Sequence, residues 1–199
     1  YGVSGPVSVY LVMSPGRDLR TVLAVDDLPD YLALYEYQLG EDYDVRTAGN
    51  GDTALEIVSD DVDVVLLDRD MPGTNGDDVL ARIRDAGYDC RVAMVTADEP
   101  DEDVFDLGYD ATLTKPFSES ELTAVVERLL RIADYVDAIR DFHEACERRA
   151  KRRTGHPDGN ENAGIDDRIT EHRERVDAIA AEFDDEDYRV VFRDLEDAP

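Results

Sequence analysis

Four short apolar runs in this chain each end in side chains suited to handling a phosphate. Val25 is followed by Asp26 and Asp27, Leu66-Leu67 by Asp68, Val95 by Thr96, and Leu113-Thr114 by Lys115-Pro116-Phe117. If these runs are parallel strands of one open sheet, their carboxyl ends share the edge at which such sheets bind ligands. Three carboxylates gathered there repel one another and cannot all stay ionised without a counter-charge. A hard dication with oxygen ligands supplies one, and Mg2+ is the natural choice when a phosphate is also present. Lys115 adds a mobile point charge and Thr96 a hydroxyl donor. A nucleophile, a metal and donors for the equatorial oxygens are the working parts of phosphoryl transfer to a carboxylate. A single Asp after a strand is usually a cap or a turn residue. Four such features at the same end of four strands are hard to obtain by accident.

The elements that must hold these residues are legible in the hydrophobic pattern. Strands are expected at 21–25, 43–47, 62–67, 90–95 and 111–114, and helices near 30–39, 52–59, 77–86, 100–107 and 118–132. Pro100 fits a first helical turn and Ser118 with Glu121 a capping box, while Gly40, Gly87 and Gly108 fall at helix ends. Strict alternation predicts an α/β fold with a five-stranded, parallel, doubly wound, flavodoxin-like sheet. After Ile132 the pattern changes. Tyr135, Ile139, Phe142, Cys146 and Arg149 or Ala150 fall on one helical face, and Ile165, Ile169, His172, Val176, Ile179 and Phe183 repeat the spacing beyond a turn-rich stretch at 154–160. Two matching stripes predict an antiparallel helical hairpin or a short coiled coil. The segment 187–195 fits a short helix or a strand, with the helix preferred. The expected organisation is an N-terminal extension without ordered structure at 1–20, a sheet domain at 21–131 and a helical domain at 132–199. The opening residues lack the basic region of a signal peptide, and 1–12 read as an upstream extension or a fragment end.

Of the 199 residues, 49 are acidic and 21 basic, giving a formal net charge of −28; 33 of the acids are Asp, and Lys occurs twice. Short carboxylates in excess suit a protein living in molar salt, where the Debye length falls to about 3 Å and self-repulsion is tolerable. Disorder, the rival reading of such acidity, conflicts with the strong periodic apolar runs of the first 130 residues. An extreme halophile is the expected source. Cys90 and Cys146 make no disulfide framework, in keeping with a reducing, cytoplasmic location. No run approaches the roughly 18 apolar residues of a membrane span.

The stretch from Thr21 to Leu130 resembles the CheY-like receiver domain of two-component response regulators. The resemblance rests on Asp26-Asp27, Asp68 followed by Met71-Pro72-Gly73 and Gly76, Thr96-Ala97, and Lys115-Pro116-Phe117. It implies that Asp68 accepts a phosphoryl group from a histidine kinase. It further implies that Asp27, Asp68 and the Asp70 backbone carbonyl ligate Mg2+, with Asp26 acting partly through water, and that Thr96 and Lys115 bind phosphoryl oxygens. Receivers often carry an aromatic three residues before the lysine, which turns inward on activation. Here that position is Thr112, so movement of Thr96 would couple to a smaller side chain. Nearby Tyr109 reads as a cap on the hydrophobic edge.

Residues from about 131 to 197 resemble the HalX domain that follows receivers in halophilic archaea. This resemblance rests on Arg131-Ile132-Ala133-Asp134-Tyr135, the helix end from Cys146 to Lys151, and Asp184-Asp185-Glu186-Asp187-Tyr188-Arg189 with Phe192-Arg193-Asp194-Leu195. It implies an output in transcription without showing how. Arg148, Arg149, Lys151, Arg152 and Arg153 could contact nucleic-acid phosphates. They could equally complement a helix C-terminus and pair with Glu144, Glu147 and Glu174. A protein partner or a second copy bound by the hairpin is the competing output. His143, Cys146 and His172 are three conceivable metal ligands without a fourth, and read better as seam residues. Outside the receiver no nucleophile–base pair or Gly-rich phosphate loop predicts an enzyme.

Overall fold

The computed structural model describes residues 19–97, 108–153 and 159–196. Residues 1–18 of the extension expected at 1–20, the helix expected at 100–107, and 154–158 of the turn-rich stretch expected at 154–160 lie outside them. Arg20 is described and pairs with Asp63 and Asp134, and Gly159 and Asn160 are helical instead of turn. Strands β1 (Thr21–Val25), β2 (Asp44–Ala48), β3 (Val64–Asp68), β4 (Arg91–Thr96) and β5 (Ala111–Thr114) form one parallel sheet in the order β2-β1-β3-β4-β5. On one face Val22, Ala24, Leu66 and Val95 pack against Tyr35 and Leu39 of α1 (Pro29–Leu39) and Leu122, Val126 and Leu129 of α4 (Glu119–Arg153). On the other, Leu23, Val25, Leu67 and Met94 meet Ala54 of α2 (Gly51–Ile57) and Val79, Leu80 and Ile83 of α3 (Gly76–Asp85). Because both faces are covered, β1 and β3 are apolar at nearly every position instead of alternating.

Strands β2 and β4 begin one residue later than expected, and β3 begins two later. The reason for β3 is plain. Val62 is buried, but its amide bonds to Ser59 in a turn (3.0 Å), and cross-strand bonding starts with the Asp63 amide on the Thr21 carbonyl (3.0 Å). Apolar pattern reports burial, and burial starts before the ladder does.

The helix expected at 118–132 and the stripe expected after it are one element. Ser118 and Glu121 cap its start reciprocally: the Ser118 amide donates to the Glu121 carboxylate (2.7 Å) and the Glu121 amide to Ser118 Oγ (3.3 Å). No Gly or Pro interrupts the residues beyond this cap, so α4 runs 35 residues, about 52 Å at 1.5 Å per residue. The boundary expected at 131/132 therefore falls inside a continuous helix. Helix α5 (Gly159–Ala180) returns antiparallel along it, with ion pairs Arg149–Asp166 (2.9 Å), Arg175–Asp141 (3.7 Å) and Arg131–Glu182 (3.7 Å) marking the register. The predicted stripe of α5 is half-buried throughout, and its partner residues on α4 are joined by the buried Ala138 and Ala145.

The last segment is a helix, α6 (Asp185–Glu196). Asp184 Oδ1 accepts the amides of Glu186 and Asp187 (both 2.9 Å), and Asp187 Oδ2 accepts the Asp184 amide (3.1 Å), so two aspartates form a reciprocal cap. Helix α6 folds back onto the sheet domain. Val190 and Val191 bury against Ile132, with Tyr135 and Phe183 beside them. Asp187 accepts a hydrogen bond from Arg128 Nε at 2.6 Å, and Arg193 Nη1 donates to the Tyr109 carbonyl at 2.8 Å.

Candidate functional site

The predicted site residues meet at the carboxyl edge of the sheet. The Asp26 amide extends the β1–β2 ladder by one bond, to the Ala48 carbonyl (3.1 Å), which fixes this residue to the strand end. One of its carboxylate oxygens then accepts the Leu28 amide (2.9 Å), opening the turn into α1. Asp68 is the last residue of β3 and lies opposite Val95 of β4. Thr96 ends β4, buried, and its carbonyl accepts the Lys115 amide at 2.7 Å. The sheet therefore sets these residues side by side through its hydrogen bonds.

Asp26, Asp27 and Asp68 offer carboxylate oxygens within 4.8 Å of one another, the one such group of potential metal ligands among the described residues. Asp26 is fully buried, Asp68 nearly so, and Asp27 half-exposed. Lys115 Nζ bridges two of them, at 2.7 Å from Asp26 Oδ2 and 3.2 Å from Asp68 Oδ1. Burial raises the Asp68 pKa above the usual carboxylate value; Lys115 and the Asp70 amide oppose the rise, and Asp26 adds to it. For Lys115 burial works against the charged form, but Asp26 and Asp68 outweigh it and the pKa is raised. A lysine ammonium locked between carboxylates at a desolvated strand end is a site short of positive charge.

Two glycines shape the approach. Loop 69–75 carries Asp70, exposed, and the buried Met71. Gly73 has φ +86°, open to a residue without a side chain. A Cβ at Gly76 would stand 2.5 Å from the Asp68 carbonyl and 2.8 Å from Arg69 Cα, so only glycine lets the start of α3 close over the end of β3. The Met71-Pro72-Gly73 and Gly76 pattern thus has a local physical cause.

The pattern does not disclose everything in reach of the lysine. Tyr31, in the first turn of α1, lies beneath Lys115 Nζ, with its ring centroid at 4.2 Å. Tyr31 also packs on Phe117 (5.8 Å), and Tyr35 stacks on Phe117 (5.9 Å, 17°). The i, i+4 spacing of Tyr31 and Tyr35 marks one helix face, the signal that could have found them. Thr112 is half-buried, and Tyr109 is buried within the core against the α2–α3 layer. The possible ligands in the helical region do not assemble. His143 is exposed and pairs with Glu147 (3.9 Å), and no cluster with Cys146 or His172 exists among the described residues. In the basic run, Arg148 pairs with Glu144 (3.6 Å), Lys151 with Glu147 (2.9 Å), and Arg149 across the hairpin with Asp166.

Three comparisons with known proteins bear on this edge of the sheet. A Haloferax volcanii protein whose name assigns it to transcriptional regulation is 49% identical over 124 residues, covering 62% of this chain and 21% of that protein. The chain thus spans about a fifth of that relative. Among solved structures, chemotaxis protein CheY4 of Vibrio cholerae superposes with a TM-score of 0.52 at 27% identity, over 57% of this chain and all (100%) of that one. Response regulator TrrA of Thermotoga maritima, solved with Mg2+ and BeF, gives 0.51 at 32% identity, over 56% and 100%. Receiver domains bind Mg2+ at an acidic pocket, and the Asp26–Asp27–Asp68 cluster has the oxygen-rich chemistry such an ion requires. Residues 22–127, just over half of the chain, match the response regulator receiver domain, and the protein belongs to that family.

Proposed function

We propose that this receiver is switched by phosphorylation of Asp68 from a histidine kinase, and that its C-terminal helices carry the signal onward, to transcription. The observation that carries the reading is the Lys115 ammonium held at 2.7 and 3.2 Å between Asp26 and Asp68, beside Asp27. An Asp68 oxygen attacks phosphorus on a phosphohistidine; the O–P bond forms, the P–N bond breaks, and the imidazole leaves. Asp26, Asp27, Asp68 and the Asp70 carbonyl would hold Mg2+, which offsets negative charge on the transferring group. Lys115 shifts from the Asp68 carboxylate to a phosphoryl oxygen, and the Thr96 hydroxyl donates to another. On this reading the protein is a signalling module of the cytoplasm, and the receiver catalyses its own phosphotransfer and dephosphorylation.

The relay rests on connectivity. Phosphorylation adds charge at Thr96 and Lys115, which flank β5 through the Lys115–Thr96 backbone bond. Helix α4 starts four residues beyond Lys115 and continues unbroken into the hairpin. Helix α6 clasps both sides of that path, at Arg128 through Asp187 and at Tyr109 through Arg193. The HalX-type motifs of 131–197 support a transcriptional output, as does the name of the Haloferax relative. Among the described residues no helix is long and apolar enough to cross a membrane.

A second output has its own support. The described cations of the basic run are engaged with acids, which favours a helical hairpin that binds a protein partner or a second copy over one that grips DNA through this cluster. One experiment separates these. Label from a phosphorylated kinase should enter wild type and be abolished in Asp68→Asn; label retained at the wild-type rate sinks the site assignment. Genome-wide crosslinking of the same pair should then show promoter peaks that change with the substitution. Their absence in signalling cells supports the adaptor.

A further inference from the structure

Two carboxylates would be enough to hold a lysine, yet Lys115 has a third neighbour of a different kind. Its Nζ stands over the Tyr31 ring, 4.2 Å from the centroid. The lysine side chain is only 11% exposed, so the ammonium has lost most of its water, the condition under which attraction to a π face is strongest. The ring cannot easily turn away. Phe117, two residues beyond Lys115, packs against it at 5.8 Å, Tyr35 at 6.3 Å, and Tyr35 in turn stacks on Phe117. Helix α1 and the chain just after β5 are thereby clamped around the lysine.

An aromatic does here what an acid could not. When Asp68 accepts a phosphoryl group, its contact with Lys115 is exchanged for one with a phosphoryl oxygen. A lysine on a flexible four-carbon stem would then be free to settle on the remaining carboxylates. A fourth carboxylate would hold it, but would add charge to a cluster in which Asp68 is already raised by burial and by Asp26. The Tyr31 ring attracts the cation without bearing a charge and without competing for the phosphoryl oxygens. We propose that Tyr31 is a positioning residue for Lys115, its ring keeping the ammonium over Asp68 as the acyl phosphate forms. This rests on the reading of Asp68 as the acceptor.

The test is the rate at which the full chain is labelled by acetyl phosphate with Mg2+, a donor that needs no kinase docking surface. Tyr31→Leu should slow labelling by about threefold to tenfold, and Tyr31→Phe should return it to within about twofold of wild type. In a Lys115→Met background the Leu and Phe variants should label at the same rate, because no cation is left to attract. Equal rates for wild type and a folded Tyr31→Leu would overturn the proposal. So would a Leu deficit that persists undiminished without Lys115, since the ring would then act through packing alone. Should Tyr31→Leu not fold, progressively fluorinated phenylalanines at position 31 keep the shape and drain the π face. Rates that do not fall along that series overturn the proposal as well. Wild type that takes no label on Asp68 is a different result, and it removes the acceptor assignment on which the inference stands.

Discussion

Strand β5 is flanked by two buried charge clusters of opposite composition. Beyond its carboxyl end, Lys115 is the one cation among the described residues that pairs with Asp26 and Asp68, with Asp27 beside them. Before its amino end, Asp110 alone faces Arg84, Arg91 and Arg193. In the second cluster both oxygens of the acid are engaged. Asp110 Oδ2 accepts the Val92 amide (2.7 Å) and Arg84 Nη2 (2.9 Å), while Oδ1 accepts from Arg193 and lies 3.5 Å from Arg91. Arg84 also reaches the Gly108 and Cys90 carbonyls, and Arg193 that of Tyr109. The first cluster has acids to spare and, among the described residues, a single cation; burial and then Asp26 push the Asp68 pKa up against the pull of Lys115. A buried acid whose oxygens are all engaged by cations and an amide holds a fold together. One left short of counter-charge is poised to take a metal or a phosphoryl group.

The sharpest way to break this comparison is to remove the acid from each end in turn, because the two deletions should have opposite signs. Asp110→Ala strips the buried Val92 amide of its acceptor and removes the carboxylate that Arg84 and Arg193 share. Breaking a buried pair from one side costs about 3–5 kcal/mol, and some exposure of Arg84 and Arg193 points to the lower end. Thermal unfolding should show Tm lower by roughly 10 °C. A change within a degree or two would mean that the three arginines find water as readily as they find Asp110.

The two ends also differ in how legible they are in the sequence. The acidic end is visible there because each of its members comes directly after an apolar run, so strand ends and chemistry coincide along the chain. Its cross-sheet distances are unreadable, but the alternation of elements dictates that the residues converge. Asp110 carries no such mark. Its partners lie 26, 19 and 83 positions away, and Arg193 arrives only because α6 doubles back. The stripe at 135–150 indicates a helix and a hairpin, yet not that α4 runs unbroken from the sheet. Periodicity says which residues share a face; what covers that face is a tertiary fact. In the sheet half of α4 the covering is a sheet, and Leu122, Val126 and Leu129 are wholly buried. In the distal half it is a single helix, and mainly the small Ala138 and Ala145 are buried.

A smaller change isolates what α6 contributes to the satisfied end. Arg193→Ala leaves Asp110 with Arg84, Arg91 and the Val92 amide, so the acid is not stranded. A hydrogen bond to a charged group is worth about 1.5–3 kcal/mol, and partial exposure of Arg193 reduces this to about 1–2. The loss should be local. Hydrogen exchange should quicken across the amides of α6, where Val190 and Val191 are buried, and stay unchanged in β1 and β3. Faster exchange in the central strands as well would make α6 part of the sheet's own cooperative unit, and a poor candidate for a movable relay.

The smallest effect carries the most informative sign. Asp68→Asn removes one of three crowded carboxylates at nearly constant volume. It also removes an attraction to Lys115, so the outcome turns on which influence dominates. The raised Asp68 pKa decides it: burial and Asp26 outweigh Lys115, and the ionised form is disfavoured in the fold. A carboxyl raised in the folded state contributes stability below its unfolded pKa, near 4, and loses that contribution as pH rises through the folded value. At neutral pH without Mg2+, Asp68→Asn should therefore be more stable than wild type, read as a higher Tm. The gain should fade as pH falls through the raised folded value and be gone below about 4, where wild type is protonated whether folded or not. Added Mg2+ should narrow or reverse the gap, because an ion that binds the folded state stabilises it and the variant has lost a ligand. If Asp68→Asn were instead the less stable protein at neutral pH without Mg2+, Lys115 would be satisfying the acidic end as fully as three arginines satisfy Asp110. The contrast between the two ends of β5 would then no longer separate a switch from a clasp.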